Sequence, residues 1–274
     1  MKRLLTLLLV ALAPMRAGAD DLPRVVSVNL CTDQLVMLVA DPAQIVSLSE
    51  LSDDPRSSAM AADAANFAKN SAQAEEIAVA TPDIVVAGTF TDPSLIGMLR
   101  TIGIDVVQFP LTTSLDEIPD HIRQMGRVLN RGDVAENLAM EVEDRLAQFT
   151  TLDEDAPSAA FFYPNGFALG EGTLSHSILT AGGARNLSDD LGFVGNGRIS
   201  LEEIVLRKPD FLISSPSYAG SSQAEAITTH PVLAGFPVLH STSDWVCGTP
   251  SALRAVEQVK AMVQRLSTPR VDKP

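Results

Sequence analysis

The stretch "AEEIAVATPDIVVAG" at residues 74–88 returns in outline as "LEEIVLRKPDFLISS" at residues 201–215. Both carry Glu-Glu-Ile, then Pro-Asp, then an apolar run. Glu75 and Glu202 are 127 positions apart, and so are Pro82 and Pro209. Each copy spells a short amphipathic helix, a break where proline disfavours helix in the preceding residue, and a buried strand. A helix–turn–strand unit recurring at a fixed offset implies two similar lobes rather than one extended sheet.

The same alternation continues outward. Strands are expected over residues 24–28, 45–48, 84–87 and 104–108, with helices over 33–39, 72–80 and 93–102. A second series has strands over 159–163, 211–214 and 238–240 and helices over 175–181, 201–206, 223–228 and 251–266. Strand–helix alternation of this kind signals parallel α/β layers. Between the series, residues 115–149 place Ile118, Ile122, Met125, Val128 and Leu129, then Leu138, Val142, Leu146 and Phe149, at helical spacing. Asn130-Arg131-Gly132-Asp133 marks an interruption that would make this two helices in tandem. The expected fold is α/β: two Rossmann-like lobes with central parallel sheets, joined by one long connecting helix. The divisions are a leader at 1–19, a first lobe at 20–114, the connection at 115–150 and a second lobe at 151–274. Two lobes leave a cleft between them, and ligands of parallel α/β sheets bind at the carboxyl ends of the strands.

The leader reading rests on Lys2 and Arg3, the apolar run 4–13 and the small-residue site Ala17-Gly18-Ala19. That pattern is a secretory signal, too short to span a bilayer. Cys31 lies too far from it to serve as a lipid anchor. The expected location is a bacterial periplasm. Loss of Lys2, Arg3 and Arg16 would leave 17 basic against 34 acidic residues, moving the formal charge from −14 to −17. So acidic a surface repels phosphate backbones and favours a partner presenting basic residues; nucleic acid is excluded as a partner, and a monomer is expected.

Catalytic signatures are missing. There is no G-x-S-x-G elbow, "GEGTLS" lacks the third glycine of a dinucleotide turn, and no P-loop lysine follows it. His121, His176, His230 and His240 are scattered without metal-ligand spacing. No acid, base and nucleophile assemble, so the chain reads as a binder and not an enzyme, with no metal site or cofactor of its own; an exported α/β enzyme using Asp53 or Asp244 is the remote alternative. Only two cysteines occur, Cys31 in "VSVNLCTDQL" and Cys247 in "SDWVCG". In an oxidising compartment they form either one disulfide or two separate thiols near the cleft; a bridge needs Cα atoms within about 7 Å.

The motifs "RVVSVNLCTDQL", "AEEIAVATPDIVVAG", "LRTIGIDVV", "NGFALGEGTLSHSILTAGGARNL", "ISLEEIVLRKPDFLI" and "HSTSDW" run in order along nearly the whole chain. In this they resemble the helical-backbone class of ABC-transporter substrate-binding proteins, which take up iron–siderophores, haem and cobalamin. The nearest pattern is that of the cobalamin-binding members, around "TSDW". The resemblance implies a cargo that is a metal–organic complex, a ferric siderophore or corrinoid, with haem or a bare metal ion as the alternative. It also implies an inner-membrane ABC permease dimer as partner, docked through one exposed glutamate per lobe, Glu75 and Glu202.

Ligand contacts are then expected in the strand-end loops. In the first lobe these are Cys31, Thr32, Ser52, Asp53, Thr89 and Phe90. In the second they are Tyr163, Asn165, Phe167, Asn196, Arg198, Tyr218, Asp244 and Trp245. Aromatic faces there would pack a macrocycle, and Arg198 would pair with an anionic group. Tyr163, Tyr218 and His176 are the candidate axial ligands for a haem. Trp245, the only tryptophan, follows a strand in a polar loop and is assigned to the cleft.

Overall fold

The computed structural model describes residues 22–149, 152, 153, 155–216 and 223–268. The expected leader and Tyr218 lie outside them. In the first lobe, strands β1 (Val25–Ser27), β2 (Ile45–Ser49), β3 (Lys69–Asn70), β4 (Ile84–Gly88) and β5 (Asp105–Phe109) form one parallel sheet in the order β3-β2-β1-β4-β5. Helices α1 (Leu30–Val39), α2 (Ala61–Ala64), α3 (Ala74–Ala80) and α4 (Pro93–Thr101) connect them. Successive strand residues point to opposite faces, and both faces are apolar. Val25 and Val86 join a core with Leu35, Val36 and Val39 of α1. Val26, Val85 and Ala87 join a second core with Ile77 of α3 and Leu95, Ile96 and Leu99 of α4.

The second lobe follows with β6 (Ser158–Phe161), β7 (Phe167–Leu169), β8 (Arg185–Asn186), β9 (Asn196–Arg198), β10 (Phe211–Ser214) and β11 (Val238–His240). Four of these make a parallel sheet in the order β11-β10-β6-β8. β7 and β9 pair antiparallel outside that sheet, an arrangement the sequence pattern did not suggest because each strand is only three residues long.

The connection divides as its Asn130 break implied. A 3-10 turn (Leu115–Glu117) leads into α5 (Ile118–Val128), and α6 (Gly132–Leu146) then carries the chain towards the second lobe. The two helices fold back on each other. Arg123 of α5 bonds both Glu136 (Nε, 2.9 Å) and Glu143 (Nη1, 2.6 Å) of α6, and a Cβ on Gly126 would stand 2.3 Å from that of Ala135. The missing side chain at Gly126 is what lets the helices close to this distance. In the second lobe, α7 (Leu174–Ala181), α8 (Leu187–Asp190), α9 (Leu201–Arg207), α10 (Gln223–Ala226) and α11 (Ala252–Ser267) complete the fold.

The repeat read in the sequence is a repeat in space. α3 and α9 are both seven residues long; Ile77 and Ile204 are the buried anchors. Both helices end in the left-handed region, at Thr81 (φ 46°) and Lys208 (φ 51°), positions again 127 apart. The Pro-Asp turn has a specific task in each lobe. Asp83 accepts from the backbone N–H of Arg24 at 2.7 Å, and Asp210 accepts from that of Ser158 at 2.7 Å. Each carboxylate therefore ties the start of the echoed strand to the start of its neighbour, β1 or β6.

One buried carboxylate is held differently. Asp33, in the first turn of α1, accepts from the Ser49 backbone N–H at 3.1 Å and from the Ser49 hydroxyl, and is fully buried. Burial pushes its pKa up to about 6, against the lowering by its serine bonds. A carboxyl raised above its unfolded value near 3.8 binds more protons in the native state, so its contribution is present at low pH and lost as pH rises through about 6. Asp33→Asn is expected to flatten the stability profile between pH 4 and 6, removing a swing of about 3 kcal/mol, read from guanidinium unfolding across that range. An unchanged profile in the variant would place the titration elsewhere.

Candidate functional site

The winding order of the first lobe reverses between the parallel neighbours β1 and β4, so the connections leaving their carboxyl ends pass to opposite faces of the sheet, α1 on one and α4 on the other, and leave a crevice. A cavity of about 90 Å³ occupies that crevice, lined by Asn29, Cys31 and Thr32 after β1, Gly88 to Phe90 after β4, and Phe109 to Thr112 after β5. His121 of α5 closes one side; Val246 and Gly248 reach in from the second lobe. The local reasons are legible. Asn29 caps α1 by accepting from the Cys31 and Thr32 N–H groups at 3.0 and 3.4 Å, and a Cβ on Gly88 would stand 3.1 Å from its amide. A side chain at the end of β4 would press on that cap and push the Asn29 amide aside by a few tenths of an ångström.

The two lobes meet along a short seam beside this cavity. Cys31 and Cys247, left open by the sequence, are joined as a disulfide with Cα atoms 5.2 Å apart and 216 residues between them along the chain. Next to it, Thr249 donates its hydroxyl to the buried Gln34 Oε1 at 3.2 Å. Gly248 lies so close to Thr112 that a Cβ would come within 2.2 Å of its methyl group. Thr112 in turn pairs with His121 Nδ1 at 3.0 Å. Burial holds the His121 imidazole below its ordinary pKa, against the pull of Glu117 and Asp120, so it faces the cavity neutral at pH 7.

Four of the residues expected in the cleft come together here: Cys31, Thr32, Thr89 and Phe90. Thr32 is buried and spends its hydroxyl on Ser27 and the Asn29 carbonyl, so it shapes the wall. Phe90 is 83 % exposed and stands at the mouth. Ser52 is wholly buried, and Asp53, though exposed, pairs with Lys69 of its own lobe at 3.6 Å; neither lines the cavity.

In the second lobe, Phe167 is registered opposite Arg198, and Leu169 opposite Asn196. Directly paired residues share a face, so these four side chains stand together, while Ala168 points into the core. Phe167, Asn196 and Arg198 are exposed, and Asn165 sits exposed in the preceding turn at φ 60°. This ledge is separate from the cavity lining.

Trp245 corrects the sequence reading. It is 6 % exposed, packs edge-on against Phe161 with ring centroids 6.1 Å apart, and donates its indole N–H to Gln258 at 3.0 Å. The polar residues around it misled, because Asp244 turns to Arg254 and Gln258 of α11 and leaves the indole to the core. Tyr163 stacks on Phe161 at 6.2 Å, and burial raises its phenol pKa. His176 is engaged by Asn186 and Asp189. Of the three haem-ligand candidates, Tyr218 lies outside the described residues, and neither Tyr163 nor His176 lines the cavity. His121 does, and sequence spacing gave no sign of it beyond its place on the apolar face of α5. No group of three or more metal-ligating side chains occurs among the described residues.

Against this geometry the comparisons are direct. The model of the periplasmic binding protein family matches residues 25–241. The chain belongs to that family. Its relatives include a cobalamin-binding protein of Halobacterium salinarum, 23 % identical over 235 residues, which are 84 % of this chain and 63 % of that protein; the chain thus spans under two thirds of that relative's length. A vitamin B12-binding protein of Vibrio vulnificus is 23 % identical over 94 % of this chain and 96 % of its own. Among solved structures, a periplasmic heme-binding protein of Vibrio cholerae superposes with a TM-score of 0.73 at 17 % identity, covering 87 % of this chain and 98 % of its own. The vitamin B12-binding protein of Vibrio cholerae gives 0.65 at 18 %, covering 90 % and 99 %. These structures share the two-lobed fold.

The seam has measurable consequences. Denatured, unreduced protein is expected to show no titratable thiol. Cys31→Ser with Cys247→Ser releases a loop of 216 residues, for which chain entropy sets a loss of about 5 kcal/mol, read from the guanidinium midpoint. A loss under about 1 kcal/mol would mean that the non-covalent contacts hold the seam unaided.

Proposed function

We propose that the protein is an extracytoplasmic substrate-binding protein that captures a metal–organic complex, a corrinoid first and a ferric siderophore second, and passes it to an inner-membrane ABC permease. The observation that carries the reading is the crevice at the β1/β4 reversal, with Phe90 exposed at its mouth and Phe167 and Arg198 exposed on the other lobe. The crevice holds about 90 Å³, far below the 300–1,000 Å³ of a drug-sized pocket. A macrocycle would therefore rest across the mouth on aromatic faces, with one substituent entering the cavity. Support for the corrinoid comes from the vitamin B12-binding relative that matches this chain end to end.

Haem is the weaker candidate. Tyr163 is stacked on Phe161 and His176 is bonded to Asn186, while Tyr218, the third candidate, lies outside the described residues. A corrinoid or a siderophore brings its own metal ligands and asks the protein only for apolar contact and hydrogen bonds.

Glu75 and Glu202 are the proposed permease contacts, one on each echoed helix. Their neighbours are otherwise occupied. Glu76 accepts from Ser71 N–H and Oγ at 2.9 and 2.8 Å, and Glu203 meets Arg207 at 3.3 Å. Glu75 and Glu202 are exposed. The Glu202 carboxylate bonds its own N–H and the Ser200 hydroxyl, which lower its pKa. Charge pairing at two such points sets capture rate and orientation.

Calorimetric titration with cyanocobalamin, ferrichrome and haemin tests the cargo. Cyanocobalamin is expected to bind at micromolar or tighter affinity, and Phe90→Ala to weaken it about tenfold, the worth of one aromatic contact. Absence of binding to all three compounds overturns the proposal. Glu75→Ala with Glu202→Ala is expected to leave that affinity intact and abolish uptake by cells; undiminished uptake removes the docking role.

A further inference from the structure

The echoed helices share more than their acids. One turn after Glu75 stands Val79, and one turn after Glu202 stands Leu206, the same 127 residues apart. Val79 is 84 % exposed and Leu206 75 %. Residues four apart lie on one face of a helix, so each lobe presents a carboxylate with an uncovered apolar side chain beside it. Ile77 and Ile204 face inward and account for the packing of both helices, which leaves Val79 and Leu206 without a role in the core. A single exposed apolar residue is unremarkable. Its recurrence at equivalent positions, on helices ended by the same left-handed residue, is not explained by either lobe's stability. On the second lobe the apolar surface widens, since Val205 and Val232 flank Leu206 along an open groove of about 450 Å³ that also contains Glu202.

We infer that these are two composite docking points, each an acid and an apolar contact, for one partner that offers the matching pair twice. The partner's chemistry follows. It presents, at two related positions, a basic side chain next to an apolar hollow, as a membrane protein of two like subunits does. Charge complementarity carries the choice of partner. The expected mature chain bears 34 acidic against 17 basic residues, and exposed acids of this kind draw a basic surface from a distance. Apolar contacts act only after encounter, by slowing release, because most affinity differences among variants of one interface lie in dissociation. The acids and the apolar residues therefore do different work in one interface. This inference rests on the proposed role of Glu75 and Glu202 as permease contacts.

The two claims separate in a kinetic measurement. The probe is the inner-membrane ABC permease of the source cell, reconstituted in nanodiscs, with binding followed by interferometry at 50 mM and 500 mM salt. Val79→Ser with Leu206→Ser is expected to dissociate tenfold faster at both salt concentrations, with association within twofold of the unsubstituted protein. Glu75→Gln with Glu202→Gln is expected to associate at least tenfold more slowly at 50 mM salt and to lose most of its salt dependence. Dissociation of the Val79/Leu206 variant less than threefold faster overturns the composite surface and leaves the acid contacts standing. Unchanged association of the acid variant, or no binding by the unsubstituted protein, overturns the docking reading itself. All four positions are exposed, and circular dichroism with the thermal midpoint verifies that both variants remain folded.

Discussion

The Cys31–Cys247 bond is the constraint on which the site depends. It fastens the first turn of α1 in one lobe to the loop before α11 in the other, across 216 residues of chain. A covalent link at that point keeps one edge of the cleft at a set width. Gly248 can then lie on Thr112, and Thr112 can hold His121, so the cavity wall is assembled from both lobes. The tether limits how far the lobes can separate at this edge, so the part of the site beside it needs little rearrangement to receive a ligand. Preformed sites lose less affinity to the ordering of loops.

Within each lobe the same packing problem has the same solution. A parallel strand needs a helix to return the chain, and the helix must end where the next strand can begin beside the first. The left-handed residue at Thr81 or Lys208 stops the helix, proline prevents its resumption, and Asp83 or Asp210 fastens the turn to the neighbouring strand. The lobes diverge beyond this unit. The first sheet has five strands and its crevice opens at β1/β4, whereas the second has four and carries the β7–β9 ledge outside them. One lobe therefore supplies most of the cavity, and the other supplies an exposed ledge with Phe167 and Arg198.

Local pattern was readable wherever one residue's role is set by its chain neighbours. The helix–turn–strand repeat, the break near Asn130 and the strand-end positions of Thr89 and Phe90 were of this kind. It failed where a role is set by a distant partner. The polar chain neighbours of Trp245 point to a cleft residue, yet Phe161 and Gln258 claim it for the core. Ser52 and Asp53 follow a strand as cleft residues do, but Ser52 is buried and Asp53 turns to Lys69 of its own lobe. His121 was one histidine among four until α5 placed it against the cavity.

The sequence by itself determined two α/β lobes, their repeat, the acidic balance and the absence of a recognisable catalytic constellation, because these depend on periodicity, offset and composition. Only the tertiary structure decided that the cysteines are joined, that α5 folds back on α6, and that Phe167 and Arg198 share one face of the β7–β9 pair. Such pairings depend on distances between residues far apart in the chain. No local spacing encodes them, and packing of the whole molecule selects among partners that the sequence leaves equivalent.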